Sequence, residues 1–168
     1  MKRAPRESTS KTVNLLVSVL VRYPEVAAVD FDHTTINFTF LLTRALSNRA
    51  FRELAARVED SLAAFNALEG RPTGTVKVER ARHPGLTVIQ LTRDVTSLTQ
   101  AEISLMVAVV REEFGQVLAA DGGEVMYEEE KMVQEELIAE MLEDVRLSQQ
   151  SRNLTAFRED GKVVVFNK

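Results

Sequence analysis

Two stretches of this chain, 26–70 and 75–122, carry the same order of features, and that order limits the fold more than any other property of the sequence. Each has two short runs of alternating apolar and polar residues around a turn, then the tripeptide Leu-Thr-Arg. A short connection and a helical pattern ending at glycine complete the unit. The tripeptides are Leu42-Thr43-Arg44 and Leu91-Thr92-Arg93, and aligning them sets Val29 on Val78, Asp30 on Glu79 and Phe40 on Ile89. The expectation is an internal ββα duplication. Strands joined by turns this short run antiparallel. The fold class is therefore α+β, with an antiparallel sheet built from β-hairpins and helices on one face.

Local signals place the elements. Residues 1–9 are polar and basic and read as a disordered tail, which leaves 10–168 as a single domain. Ser10 can cap a helix to about Tyr23, where Pro24 stops it, with Val13, Leu16, Val17, Leu20 and Val21 on one face. In the first unit Val29 and Phe31 alternate with Asp30 and Asp32, and Ile36, Phe38 and Phe40 with Asn37 and Thr39, around a polar turn at 32–35. Ser47 then caps a helix striped by Phe51, Leu54, Val58, Leu62 and Phe65 and closed by Gly70. In the second unit, strands at about 75–81 and 86–94 flank His83-Pro84-Gly85. Thr99 and Glu102 form a capping box for a helix to about Ala120. The remaining segment, 127–168, reads as a helix over 127–150 followed by a hairpin. Its helix is striped by Val133, Leu137, Ile138, Met141, Leu142 and Val145. Asp160-Gly161, the favoured pair for a two-residue turn, joins strands at 154–159 and 162–166 and sets Glu159 opposite Lys162 and Phe157 opposite Val164.

Composition removes several classes of function. A net charge of −4 argues against a nucleic-acid partner, which would call for a basic face. No apolar run reaches the length of a membrane span. With 0 cysteines there are no disulfides, no thiol nucleophile and no cysteine-bound metal, and the expected compartment is the cytoplasm. The 2 histidines, His33 and His83, both fall in turns, which removes any Ser/His/Asp order and any Glu-x-x-His metal pattern.

Three constellations could still carry chemistry. The stretch Ala28-Val29-Asp30-Phe31-Asp32-His33-Thr34-Thr35 resembles the first motif of the haloacid-dehalogenase-like phosphatases, an apolar strand followed by Asp-x-Asp-x-Thr. That resemblance implies Asp30 as nucleophile and Asp32 as general acid and base, with magnesium holding the phosphate. By the same resemblance Thr92 would supply the second motif and Lys77 or Lys131 the third. His33 stands where that family has glycine, and the family's sheet is parallel. Acids beside a hairpin turn also explain Asp30 and Asp32 as surface residues. The second constellation is the acidic series from Asp121 to Asp144, which reads as a solvated helix face able to attract a basic protein partner. The third is the repeated pair Arg44 and Arg93, at strand ends where two equivalent arginines could clamp an anion. More commonly such arginines cap a helix or pair with acids. Lys2, Arg3, Arg6 and Lys11 read as a solubilising tail.

No catalytic, cofactor-binding or metal-binding residue is assigned. The leading expectation is a non-catalytic cytoplasmic protein that works through self-association or by binding a partner or ligand. The alternative is a magnesium-dependent phosphatase using Asp30 and Asp32, and a third reading is a small ligand held between the repeats. Self-association is expected through the helix at 99–120, as a homodimer. Its stripe of Ile103, Met106, Val110, Phe114 and Val117 suffices to pack on a sheet. Leu105 and Val109 lie off that stripe and need a cover, either the last helix or a second chain.

Overall fold

A computed structural model describes residues 3–32, 34–120, 126–147 and 153–167. The elements run α1 (Arg3–Arg22), β1 (Ala28–Asp32), β2 (Thr35–Leu42), α2 (Asn48–Leu68), β3 (Val76–His83), β4 (Leu86–Asp94), α3 (Gln100–Phe114), α4 (Glu128–Leu147), β5 (Asn153–Glu159) and β6 (Lys162–Asn167). The strands form one six-stranded sheet in the order β3-β4-β2-β1-β5-β6, antiparallel at every junction. This is the α+β fold expected from the hairpin pattern.

The core lies between the helices and one face of the sheet. Val29, Phe31, Ile36, Phe38, Phe40, Ile89, Leu91, Leu154 and Ala156 point into it from the strands. Leu15, Leu16, Val19 and Leu20 of α1 meet them, as do Ile103, Met106 and Val110 of α3. The α4 helix runs antiparallel to α1, held by the 2.6 Å ion pair Arg22–Glu135. The Arg146 side chain anchors the other end of α4 by donating to the backbone carbonyls of Val95 (3.1 Å) and Leu98.

Caps stand where the residue types placed them. The Ser47 hydroxyl accepts from Ala50 N at 3.1 Å and starts α2. Both arms of the Thr99–Glu102 capping box are present. In the last hairpin Asp160 and Gly161 have φ of +50° and +76°, the pair of left-handed residues that a type I′ turn requires. Nothing surrounds Gly161 within 4 Å, so a substitution there is opposed by its backbone alone. Gly161→Val is expected to cost about 1–3 kcal/mol, read as a lower urea midpoint, because a β-branched residue resists positive φ.

Several expectations need correction. The first helix, α1, begins at Arg3 and not at Ser10. Pro5 falls in its first turn, where its missing N–H removes no helical bond. The helix expected to reach Ala120 ends at Phe114, with Gly115 as its cap. Beyond it Leu118 bridges Leu42, and Ala119 N donates to Leu41 O at 2.8 Å. Sheet pairing has taken the residues that the periodic pattern assigned to helix. The α4 helix ends at Leu147, and 148–150 lie outside the described residues, as does His33. Val109 is buried and Leu105 packs on the core within a single chain, so the two residues offered as grounds for a second chain on α3 are already covered.

The two ββα units share their element order, but their Leu-Thr-Arg tripeptides sit differently. Leu91-Thr92-Arg93 lies inside β4, whereas Thr43 and Arg44 lie beyond the end of β2. Phe40 and Ile89, matched in the alignment, are direct cross-strand partners, so the units meet head to head.

Candidate functional site

Because the helices gather on one side, the opposite face of the sheet has no helix over it among the described residues. Cross-strand partners share a face, so the register lists what this open face displays. One row reads Phe166, Thr155, Asp30, Asn37, Thr92, Lys77 from β6 to β3. A second reads Val164, Phe157, Ala28, Thr39, Gln90, Glu79. Most of these side chains are half-buried, as expected of short residues on a flat surface. The amide oxygens of Asn37 and Asn153 are buried and have no hydrogen-bond partner among the described residues. They are acceptors that a ligand or water would satisfy.

This face carries a cleft of about 490 Å³. It forms where β1 stops short. That strand begins only at Ala28, while β2 continues to Leu42 and takes Leu118 as its neighbour instead. The notch between is lined by small or flat residues: Pro24, Ala27, Ala28, Leu41, Ala119, Ala120 and the ring of Phe157. Thr39, Arg158 and Asp160 supply its polar rim, and the turn at Gly161 closes one side. Its size and composition are those of small-molecule sites, apolar walls with a few polar groups.

Arg158 fixes one wall. Its Nη2 donates to the carbonyls of Leu20 (2.5 Å), Tyr23 (2.7 Å) and Val26 (3.0 Å), the last turn of α1 and the chain beyond it. These groups have no partner inside the helix. Sequence reasoning missed Arg158 because its partners lie more than 130 positions away, with only a charged residue in an otherwise core-facing strand position to mark it. It missed the cleft as well, for which the small pairs Ala27-Ala28 and Ala119-Ala120 were the available signal.

The phosphatase-like residues are not assembled. Asp30 lies in an antiparallel arm and accepts a 2.6 Å hydrogen bond from the Thr155 hydroxyl, while Asp32 is exposed at the end of the strand. Thr92 is two strands from Asp30 and Lys77 three, roughly 10 and 14 Å apart in a sheet. Neither can share one phosphoryl group with Asp30. Lys131 is on α4, across the sheet, 3.4 Å from Glu128. No cluster of three or more potential metal ligands occurs among the described residues.

Arg44 and Arg93 do not form a clamp. Head-to-head pairing puts the ends of β2 and β4 at opposite ends of the sheet. Arg44 is exposed, whereas Arg93 is fully buried beneath the helices. It donates to Glu102 Oε2 (2.9 Å), Thr75 O (3.0 Å) and Ser97 Oγ (3.1 Å). Asn66 donates to the same Glu102 oxygen at 2.8 Å. Next to this network sits Asp94. Partial burial would raise its carboxyl, but hydrogen bonds from Ser97, Thr96 and the backbone outweigh that and hold it below the usual carboxylate range. Burial likewise pushes the Tyr23 phenol up, partly offset by its contacts with Ser104 (2.5 Å) and Gln100 (2.7 Å). The side-chain partners of both groups lie outside the cleft lining.

The outer side of α4 displays Glu129, Glu130, Glu136, Glu140 and Asp144 beside exposed Met132, Val133 and Leu137. Among the described residues no helix is long and apolar enough to cross a membrane. No family model matches the chain, and no curated protein or solved structure is detectably similar to it.

Proposed function

We propose that this protein is a non-catalytic binding module that holds a small, largely apolar ligand in the cleft on the open face of its sheet. The observation that carries the reading is the cleft itself, a 490 Å³ notch walled by Ala28, Leu41, Phe157 and Ala119 on a sheet face with no helix over it. A flat apolar group would stack on Phe157 between the two alanine pairs. A polar end would reach Thr39 and Asp160 at the rim. Arg158 is already engaged by the carbonyls at the end of α1, so it shapes the wall more than it neutralises charge.

A thermal-shift screen of small aromatic and aliphatic ligands tests this. A ligand present at a hundred times its dissociation constant adds about 2.7 kcal/mol of stability. Ala28→Trp fills the notch from the solvent side of β1. It is expected to abolish that shift while leaving the unliganded protein within about 1 kcal/mol of the parent, since the position faces away from the core. Shifts that persist in Ala28→Trp move the ligand elsewhere. Magnesium-dependent hydrolysis of a generic phosphate ester that vanishes in Asp30→Asn/Asp32→Asn would replace the reading with the phosphatase.

A further inference from the structure

The two edges of the sheet are built differently. β3, at one edge, carries Lys77, Glu79, Arg80 and Arg82, and charges of this kind discourage pairing with another chain. Arg80 also turns inward to the carbonyl of Leu46, tying the edge to the start of α2. β6, at the other edge, reads Lys-Val-Val-Val-Phe-Asn, with three consecutive β-branched residues and a single charge at its first position. Among the described residues no strand pairs with its outer side. Phe166 lies 47% exposed beside that edge, 5.6 Å in a T-shaped contact from Phe157.

The hairpin decides which backbone groups are unused. In a two-residue hairpin the residues flanking the turn, here Glu159 and Lys162, exchange both hydrogen bonds. Groups alternate along a strand, so Lys162, Val164 and Phe166 face β5 with their N–H and C=O. Val163 and Val165 present theirs outward. We propose that β6 pairs antiparallel with β6 of a second copy about a two-fold axis through Val164, joining two sheets into one of twelve strands. This goes beyond the cleft and does not depend on it.

The second copy is favoured over a foreign strand because β6 is complementary to itself. In this register Val163 and Val165 pair with the other copy's Val165 and Val163, so every outward N–H and C=O of the central segment is met. On the open face Val164 meets Val164, and Phe166 meets Lys162 of the other strand. That lysine then lies between an aromatic face and its own cross-strand neighbour Glu159. The exposed Phe166 is thereby covered, and no like charges are opposed. A two-fold axis through Val163 would bring Lys162 onto Val164, and one through Val165 would take Lys162 off the Phe166 ring and set Val164 there instead.

The absence of cysteine makes the test clean. Residues on the axis form a non-hydrogen-bonded pair with Cα atoms about 4.5 Å apart, within disulfide reach. Residues two positions away are separated by more than about 7 Å, which a disulfide cannot bridge. Val164→Cys is therefore expected to form a disulfide dimer under mild oxidation, and Lys162→Cys is not. Light scattering after size exclusion should give the parent a mass of twice 18.8 kDa. Val164→Lys, which sets two ammonium groups on the axis, should halve it with the far-ultraviolet circular dichroism unchanged. A parent that is monomeric overturns the proposal and leaves the edge to a foreign strand. A dimer in which Lys162→Cys crosslinks as readily as Val164→Cys overturns the register and with it the two-fold pairing.

Discussion

Arg93→Met is expected to destabilise the protein by about 3–5 kcal/mol, because it strands a buried carboxylate. Arg93 and Glu102 are both fully buried, and the guanidinium–carboxylate contact of 2.9 Å is the only charge neutralisation of Glu102 in the hydrogen-bond set around it. The other partners of that carboxylate, Asn66 Nδ2 and the backbone N–H and hydroxyl of Thr99, are neutral dipoles. Removing the cation leaves them to stabilise a full charge inside the protein. The double variant Arg93→Met/Glu102→Gln separates the cost of the broken pair from that of a smaller side chain. Gln keeps the acceptor that Thr99 N–H needs and carries no charge. It is expected to recover about 1–3 kcal/mol relative to Arg93→Met alone, within the range found for residues in direct contact. Urea midpoints of the parent, both single variants and the double variant close the cycle. A double variant no more stable than Arg93→Met would show that packing volume, not charge, is what Arg93 contributes.

Arg158→Ala is expected to cost about 2–4 kcal/mol, since hydrogen bonds from a charged donor are worth more than neutral ones and three carbonyls lose that donor together. The cation also sits at the C-terminal end of α1, where the helix dipole favours positive charge. Arg158→Lys should recover only part of the loss. An ammonium keeps the charge but cannot reproduce a planar guanidinium spread over Leu20, Tyr23 and Val26. The local signature is amide exchange: protection of Tyr23 and Val26, whose N–H groups bond to Val19 O (2.9 Å) and Tyr23 O (3.0 Å), should fall more than protection in β2 or β4. Uniform loss across the chain would mean that Arg158 supports the whole sheet and not the end of α1. Because Arg158 is also a wall of the cleft, the same variant should weaken any ligand held there.

Turn and cap residues act within three or four positions of themselves, so what depends on them was legible in the chain alone. Asp160-Gly161 dictates a tight turn through its positive φ values, and the predicted partners Glu159–Lys162 and Phe157–Val164 are the observed ones. Ser47 and the Thr99–Glu102 box start two helices for the same local reason. Period-two alternation told which residues of β1 and β2 face the core, and with short turns throughout it required an antiparallel sheet. That one side of the sheet carries the described helices also followed from the alternation in β1 and β2.

Tertiary structure decided whatever depends on which hairpin lies beside which. The pairing of β2 with β4 sends two matching arginines to opposite ends of the sheet, one into water and one into a buried ion pair. The placement of α2 and α4 on either side of α3 covers Val109 and Leu105, which in a helix lying alone on a sheet would face solvent. The early end of β1 diverts 117–119 from helix to the side of β2 and opens the cleft. No local residue pattern by itself dictates these outcomes. They are set by burial and chain closure between segments tens of positions apart, and each comes from the fit of whole elements and not from the preference of any one residue.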